Sequence, residues 1–196
     1  MRSMRLTIVF VVLIFTLFAC SKETELEYVS EVKLTDREKF LLSSTSDYSF
    51  VFDFQNDNKK YKQIALWVDK YEFGKLTEEK INHLTTEIEE SGTIVFTASK
   101  LIGSQINSTF NISVGTDSST SGVSTDQVMP KMDQSTWGSN SQKSIPLSEN
   151  MALASIAYAN GNGMSSLSTD FYNDVESHLD EIKAYDVVYI LKSKFQ

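Results

Sequence analysis

The sequence has little cysteine, proline, histidine or positive charge. Its 196 residues include one Cys, two Pro and two His, and 18 Lys and Arg stand against 26 Asp and Glu. A single cysteine excludes an intramolecular disulfide, so a folded domain must be stabilised by packing. The formal net charge of -8 is unfavourable for contact with a phosphate backbone, which requires clustered Lys and Arg. We therefore predict no nucleic-acid partner.

Apolar side chains are plentiful enough to build a core. Hydrophobic residues make up 41% of the chain and aromatic residues 11%, which excludes a chain that is disordered throughout. The length suits a single domain.

The N-terminus has the three parts of a signal peptide. Arg2 and Arg5 precede a run of uncharged, mostly apolar residues from Leu6 to Ala19, and Cys20 and a polar stretch follow. The run is shorter than the roughly 20 apolar residues that cross a bilayer as a helix. We therefore predict an N-terminal signal helix, with an uncleaved membrane anchor and an ordinary secretory signal as the alternatives.

The residues around the cysteine carry a resemblance to a known class. Leu17, Ala19 and Cys20 resemble the lipobox of bacterial lipoproteins, although Phe18 replaces the smaller residue that is usual there. The resemblance implies cleavage between Ala19 and Cys20 and acylation of the Cys20 thiol, with palmitate among the acyl groups. It also implies a location on the extracytoplasmic face of a bacterial membrane, where two or three acyl chains hold far longer than one. Cleavage would remove two arginines and no acid, which changes the formal charge from -8 to -10.

The chain is expected to form one domain after a short tether. We predict a signal peptide at residues 1–19, a lipidated Cys and polar tether at 20–34, and a single β-rich domain at 35–196. Residues near 115–127 offer Ser, Thr, Gly and Asp but almost nothing to bury, so a flexible loop is predicted there.

Alternation with a period of two is the strongest structural signal in the mature chain. Tyr48, Phe50, Phe52 and Phe54 alternate with other residues and should share one face of a strand. Residues 76–90 fit either a helix or a strand, and we favour the strand. Further strands, rich in β-branched and aromatic residues between turn signals, are predicted at 61–73, 92–100, 108–115, 151–158 and 185–195.

Two segments have helical patterns. Thr35 and Glu38 have capping-box spacing ahead of an apolar triplet. Residues 171–182 have apolar side chains at spacings of four, four and three, with Thr169 or Asp170 as the N-cap. Six or so strands with one or two short helices predict a mainly β fold, a β-sandwich, and an immunoglobulin-like arrangement is the preferred version.

No residue pattern defines a catalytic or metal site. His83 with Glu87, and Asp174 with His178, would each be one turn apart if their segments were helical, but a surface histidine beside an acid is far commoner than a ligand pair. Residues 53–58 supply oxygen atoms without the spacing of a calcium loop. We predict no metal and no cofactor.

Trp137 is the side chain that suggests a partner. It lies in the otherwise polar stretch QSTWGSNSQ, where nothing explains its burial, so we predict that it contacts a partner. The favoured function is a non-enzymatic binding or envelope-maintenance module anchored through Cys20. The alternatives are a hydrolase acting on cell-envelope material and a spacer or coat component.

Overall fold

The computed structural model describes residues 27–100, 107–129, 132–160 and 164–196. The predicted signal peptide, its cleavage site and Cys20 lie outside these ranges. The strands are β1 (Glu27–Glu31), β2 (Tyr48–Asn56), β3 (Gln63–Glu72), β4 (Lys75–Glu87), β5 (Ser91–Lys100), β6 (Asn107–Gly115), β7 (Thr120–Val128), β8 (Gln134–Ser139), β9 (Ile145–Pro146), β10 (Met151–Ala159) and β11 (Val187–Phe195). The helices are α1 (Asp36–Ser43), α2 (Thr169–Asn173), α3 (Leu179–Ile182) and a 3-10 turn at Glu176–His178. Among the described residues, no helix has the length and apolar character needed to cross a bilayer.

The strands form two antiparallel sheets that face each other. Sheet A has the order β7-β6-β5-β2-β1-β9, and sheet B has the order β4-β3-β11-β10-β8. Side chains from both sheets share one buried cluster, so the predicted β-sandwich is confirmed. The immunoglobulin-like version is wrong in its strand order. In that fold the last strand lies at the edge of its sheet, whereas β11 lies between β3 and β10.

Aromatic side chains fill the space between the sheets. Phe50, Phe52 and Phe54 of β2 are buried, as their alternation predicts, whereas Tyr48 is only partly buried. The Phe54 ring packs edge-on against Phe195 of β11, with ring centroids 5.7 Å apart. Burying one such side chain stabilises the fold by about 1.5–3 kcal/mol. The β2 aromatics therefore hold the centre of sheet A against sheet B.

Polar contacts close the edge that β4 and β7 form. Asn82 of β4 is buried, donates to the Phe110 carbonyl at 2.9 Å and accepts from Thr125 Oγ1 at 3.1 Å. The hydroxyls of Thr86 and Ser121 lie 2.9 Å apart across the same edge. The strand favoured for residues 76–90 is thus confirmed as β4, and it holds this edge of sheet B against sheet A.

A second buried cluster covers the outer face of sheet B. Phe171 and Ile182, from the connection between β10 and β11, share this cluster with Val188 and Ile190 of β11. Because alternate residues of β11 face the two clusters, both faces of this strand are apolar. That explains why its sequence reads as a nearly continuous hydrophobic run.

The helix predicted across 169–182 is interrupted. Asp174 has φ -150 and ψ 86, which ends α2 after one turn. The N-cap is Ser168, whose side chain accepts from the Phe171 N–H, and not Thr169 or Asp170. The apolar residues at the predicted spacing are buried or partly buried on sheet B, but the backbone between them forms short separate turns and not one helix.

Part of the predicted tether belongs to the domain. Residues Glu27–Glu31 form β1, which pairs with β2 on one side and with β9 on the other. Val29 is fully buried in the main core. A five-residue strand with one core position gives too weak a pattern to be separated from a polar spacer in the sequence.

The flexible loop predicted near 115–127 is mostly strand. β6 ends at Gly115, and β7 begins at Thr120 after a short turn. The polar side chains of β7 bond to those of β6: Thr109 Oγ1 donates to Asp126 at 2.8 Å, and Ser124 Oγ donates to Asn111 Oδ1 at 2.6 Å. An edge strand with a solvated face needs few apolar residues, which is why composition alone misled the prediction.

Candidate functional site

Trp137 lies on an edge strand and not in a loop. β8 forms one edge of sheet B, and Trp137 is opposite the buried Ile156 of β10. The Trp137 side chain is nevertheless 57% exposed. A large aromatic side chain is thus presented to solvent from the core-facing side of a strand.

Trp137 packs against Tyr48, which in turn bonds to Ser135. The Tyr48 and Trp137 rings have centroids 5.3 Å apart and are inclined at 57°. The Tyr48 hydroxyl donates to Ser135 Oγ at 2.7 Å. Since Tyr48 belongs to β2 of sheet A and the other two residues to β8, this group links sheet A to the edge strand of sheet B. We call Tyr48, Ser135 and Trp137 the Trp137 corner.

The sequence patterns located only part of this corner. The alternation on β2 assigned Tyr48 to the core face, but its position as the first residue of the strand leaves it partly exposed. Ser135 carried no signal, because a serine in a polar stretch has no distinguishing neighbour. Trp137 was found from its residue type alone.

Tyr158 of β10 lies behind the corner. It is opposite Ser135 across the β8–β10 pair. Burial first, and then the nearby Tyr48 phenol, raises the pKa of Tyr158. The Tyr158 phenol is therefore neutral at physiological pH, and the corner itself offers aromatic and hydroxyl groups without formal charge.

Helix α2 fixes the outer face of β8. The Tyr172 hydroxyl lies 2.8 Å from Ser155 Oγ and 2.7 Å from the place that a Cβ on Gly138 would occupy. Burial raises the pKa of Tyr172 to about 12, against the opposing effect of the Ser155 hydrogen bond. A larger residue at position 138 would therefore displace a buried, hydrogen-bonded tyrosine.

Helix α1 presents further apolar side chains at the same end of the sandwich. It begins with the predicted capping box, in which Thr35 Oγ1 accepts from the Glu38 N–H at 3.3 Å and Glu38 Oε2 accepts from the Thr35 N–H at 2.7 Å. None of the residues of this fully described helix is buried, and Phe40 and Leu41 are exposed. The helix leads directly into Tyr48, so we call this end the Tyr48 end.

The chain enters the domain at the opposite end. Glu27 pairs with Asn56, the last residue of β2, whereas Tyr48 is its first. We call the end where β1 begins the Glu27 end. The first described residue and the Trp137 corner are thus separated along the strand direction.

Two open grooves lie at the Glu27 end. Their volumes are about 420 and 430 Å³, and both are lined by Ser91 and Asp117. In the first groove, Lys59 Nζ lies 2.8 Å from Glu90 Oε1, and the hydrogen bond and charge of Lys59 lower the pKa of Glu90. Glu89 in turn accepts from the Ser118 hydroxyl. The Lys59, Glu89 and Glu90 side chains are thus paired with surface neighbours.

The outer face of sheet B holds a buried ion pair. Lys192 Nζ lies 3.2 Å from Asp69 Oδ2 and donates to the Tyr71 hydroxyl at 3.1 Å. Asp69 Oδ1 also accepts from the Lys80 N–H at 2.9 Å. Burial acts to lower the pKa of Lys192, but the hydrogen bond to Tyr71 and the charge of Asp69 outweigh it and raise the pKa. The group connects β3 to β11 and opens into neither groove.

The residues considered for a metal do not converge. His83 lies on β4, where Glu87 is not one helical turn away, and its Nε2 is 3.2 Å from Thr85 Oγ1. His178 Nδ1 is 2.8 Å from the Asp174 carbonyl. Within the described residues, no group of three or more His, Cys, Asp or Glu side chains is placed to hold a metal ion.

The oxygen-rich segment 53–58 stabilises a turn. Asn56 is buried, and its Nδ2 donates to the Tyr61 carbonyl at 2.9 Å and to the Glu89 carbonyl at 3.2 Å. Asp53 accepts from Thr93 Oγ1 at 2.7 Å on the outer face of sheet A. These two side chains point to different surroundings and do not form one site.

Fold and site together define an antiparallel β-sandwich with an exposed aromatic corner and a helical layer on one sheet. The model of the YgaN domain family matches residues 28–195 of this chain. The chain therefore belongs to the YgaN domain family, and all of β1 except Glu27, which the sequence patterns assigned to a tether, falls within the matched region. Comparison with curated proteins and with solved structures gives no match.

Proposed function

We propose that this chain is an extracytoplasmic bacterial lipoprotein that acts as a binding module. Acyl groups on Cys20 hold it at the membrane, and the Trp137 corner contacts a partner protein. The lipobox-like residues Leu17, Ala19 and Cys20 support the anchor. The exposed Trp137 ring, held against Tyr48 at 5.3 Å, is the single observation that carries the binding role.

The position of the corner favours a protein partner over the bilayer. Residues 20–26, fully extended, span at most about 25 Å. The nine residues of β2 span about 30 Å, and they separate the Glu27 end from the Tyr48 end. An anchor attached before β1 keeps the Glu27 end within about 25 Å of the lipid, whereas the Trp137 corner lies at the far end of the strands.

A rigid aromatic side chain suits such contact. Trp and Tyr are enriched at the energetic centres of interfaces, because each buries a large area for the loss of few rotamers. The Tyr48–Ser135 hydrogen bond holds the ring against which Trp137 rests. The corner thus needs little reorganisation to bind.

Site-specific crosslinking in intact cells tests this function. A photoreactive phenylalanine analogue replaces Trp137 in the full chain, and the matched control carries it at Phe73, which is 62% exposed at the β3–β4 turn. We expect position 137 to crosslink one defined protein that position 73 does not, and we expect Trp137→Ala to abolish binding of that purified protein. Identical products from both positions, or unchanged binding by Trp137→Ala, would contradict the proposal.

A further inference from the structure

The four sheet edges of the sandwich are not equally protected. In sheet A, β7 packs beside β4 through the Thr86 and Ser121 hydroxyls, and β9 has only two residues, one of them Pro146. In sheet B, β4 has irregular pairing with β3 at two places and carries five Lys or Glu side chains. Charges, proline, bulges and short length are the usual ways to block addition of another strand.

β8 has none of these protections. Its six residues, QSTWGS, include no charge and no proline. Within the described part of the chain, β10 is the one strand that pairs with β8. Within the described residues, this edge is therefore open beside the Trp137 corner and carries no charge of its own. At its last residue, Ser139 Oγ donates to the Glu31 carboxylate at 2.6 Å.

The register shows which backbone groups point outward. The Asn140 N–H donates to the Leu153 carbonyl at 2.8 Å, and Ser139 is opposite Ala154. Since bonded and non-bonded positions alternate in an antiparallel pair, Gln134, Thr136 and Gly138 bond to β10. The N–H and C=O groups of Ser135, Trp137 and Ser139 consequently face away from it.

A second part of sheet B gives the same alternation. Gln63 and Gln196 exchange two backbone hydrogen bonds, of 2.9 and 3.0 Å, at the end of the β3–β11 pair. Counting from this pair, Tyr189 of β11 bonds to Ile156 of β10, so Ala157 bonds across to Thr136. Trp137 again points its backbone outward.

We propose that β8 binds an extended segment of the partner protein as an additional strand of sheet B. This inference rests on the proposed binding function and specifies its partner class. Alternating backbone donors and acceptors at strand spacing are complemented by another extended polypeptide. Side chains of the added strand that lie on the Trp137 face meet aromatic rings, so apolar residues at every second position are recognised there. On the opposite face of β8, Gly138 has no side chain and the Tyr172 hydroxyl lies close to it, so this face accepts small or polar side chains of the added strand.

Selection from a library of seven-residue peptides displayed on phage tests the proposal with the native protein purified in detergent. We expect selected peptides to share apolar residues at alternate positions. On binding, hydrogen exchange at single-residue resolution should slow at least about tenfold at the amides of Ser135, Trp137 and Ser139, because each gains a backbone hydrogen bond.

Two variants separate the backbone from the side chains. Ser135→Pro removes one outward N–H and leaves the bonds to β10, since proline is tolerated on an edge where its missing N–H faces solvent. It should weaken peptide binding by about tenfold or more. The matched control Ser135→Ala keeps the N–H and loses the same hydroxyl, so Ser135→Pro should bind the peptide at least about tenfold more weakly than Ser135→Ala.

Each other outcome overturns the proposal. Failure to select peptides, or selected peptides that leave these three amides exchanging freely, excludes strand addition at β8. Protection of the amides without peptide shows that the edge is already occupied, by a second copy if it disappears on dilution and by this chain itself if it does not. Peptide selection does not depend on where the protein is located in the cell. If the native protein lacks acyl groups but still binds peptides at β8, the lipoprotein proposal is wrong and the strand-addition proposal stands.

Discussion

Removing the Asp69 carboxylate should destabilise the domain strongly. Its side chain is 6% exposed and that of Lys192 is 8% exposed, and their charged atoms lie 3.2 Å apart. Asp69→Ala leaves the Lys192 ammonium buried with the Tyr71 hydroxyl as its remaining partner, and it leaves the Lys80 N–H without its acceptor. Breaking one side of a buried pair costs about 3–5 kcal/mol, which is a large part of the 5–15 kcal/mol that keeps a domain folded.

Urea unfolding, followed by circular dichroism, measures this loss against two controls. The double variant Asp69→Ala with Lys192→Met removes both charges and should regain most of the stability, because a buried pair replaced by apolar groups is often neutral. Glu149→Ala breaks the exposed Lys194–Glu149 contact, 3.6 Å long, and should change the free energy of unfolding by less than about 1 kcal/mol. A loss below about 1 kcal/mol for Asp69→Ala, or a double variant no more stable than the single one, would show that the buried pair does not stabilise the domain in this way.

Four further predictions concern the same sheets. Burial raises the phenol pKa values of Tyr172 and Tyr189 to about 12, whereas the pKa of an unfolded tyrosine is about 10. The stabilisation from the two neutral phenols is therefore complete below about pH 10 and is lost as the pH rises towards 12. Urea midpoints measured across this pH range should fall. Gly138→Ala places a Cβ 2.7 Å from the Tyr172 hydroxyl and should lower the unfolding free energy by about 1–3 kcal/mol. Tyr189→Phe removes a buried hydroxyl that has no partner in the described structure, so thermal unfolding should show equal or higher stability. Trp137→Ala should lower stability by less than about 1.5 kcal/mol in urea unfolding, because the ring is mostly exposed and its main contact is one aromatic neighbour.

Sequence patterns predicted most of the sandwich because its central strands are buried on at least one face. The alternation of Phe50, Phe52 and Phe54 and the apolar run of β11 are direct consequences of packing between two layers. β1 and β7 were missed for the opposite reason. Each lies towards the side of sheet A and contributes few core residues, so its sequence reads as spacer or loop.

The candidate site was harder to predict because its members are far apart in the chain. Tyr48 and Ser135 are 87 residues apart in sequence, and only the register of both sheets brings them to a hydrogen bond. The Lys192–Asp69 pair has the same origin. The outward direction of the Trp137 backbone depends on which residues of β8 bond to β10, and residue types give no signal for that register.

The most direct test of the anchored binding module is mass spectrometry of the native protein extracted from bacterial membranes. We expect an N-terminal peptide that begins at Cys20 and carries the added mass of diacylglycerol, with residues 1–19 absent. An unmodified Cys20 still joined to the preceding residues would contradict it.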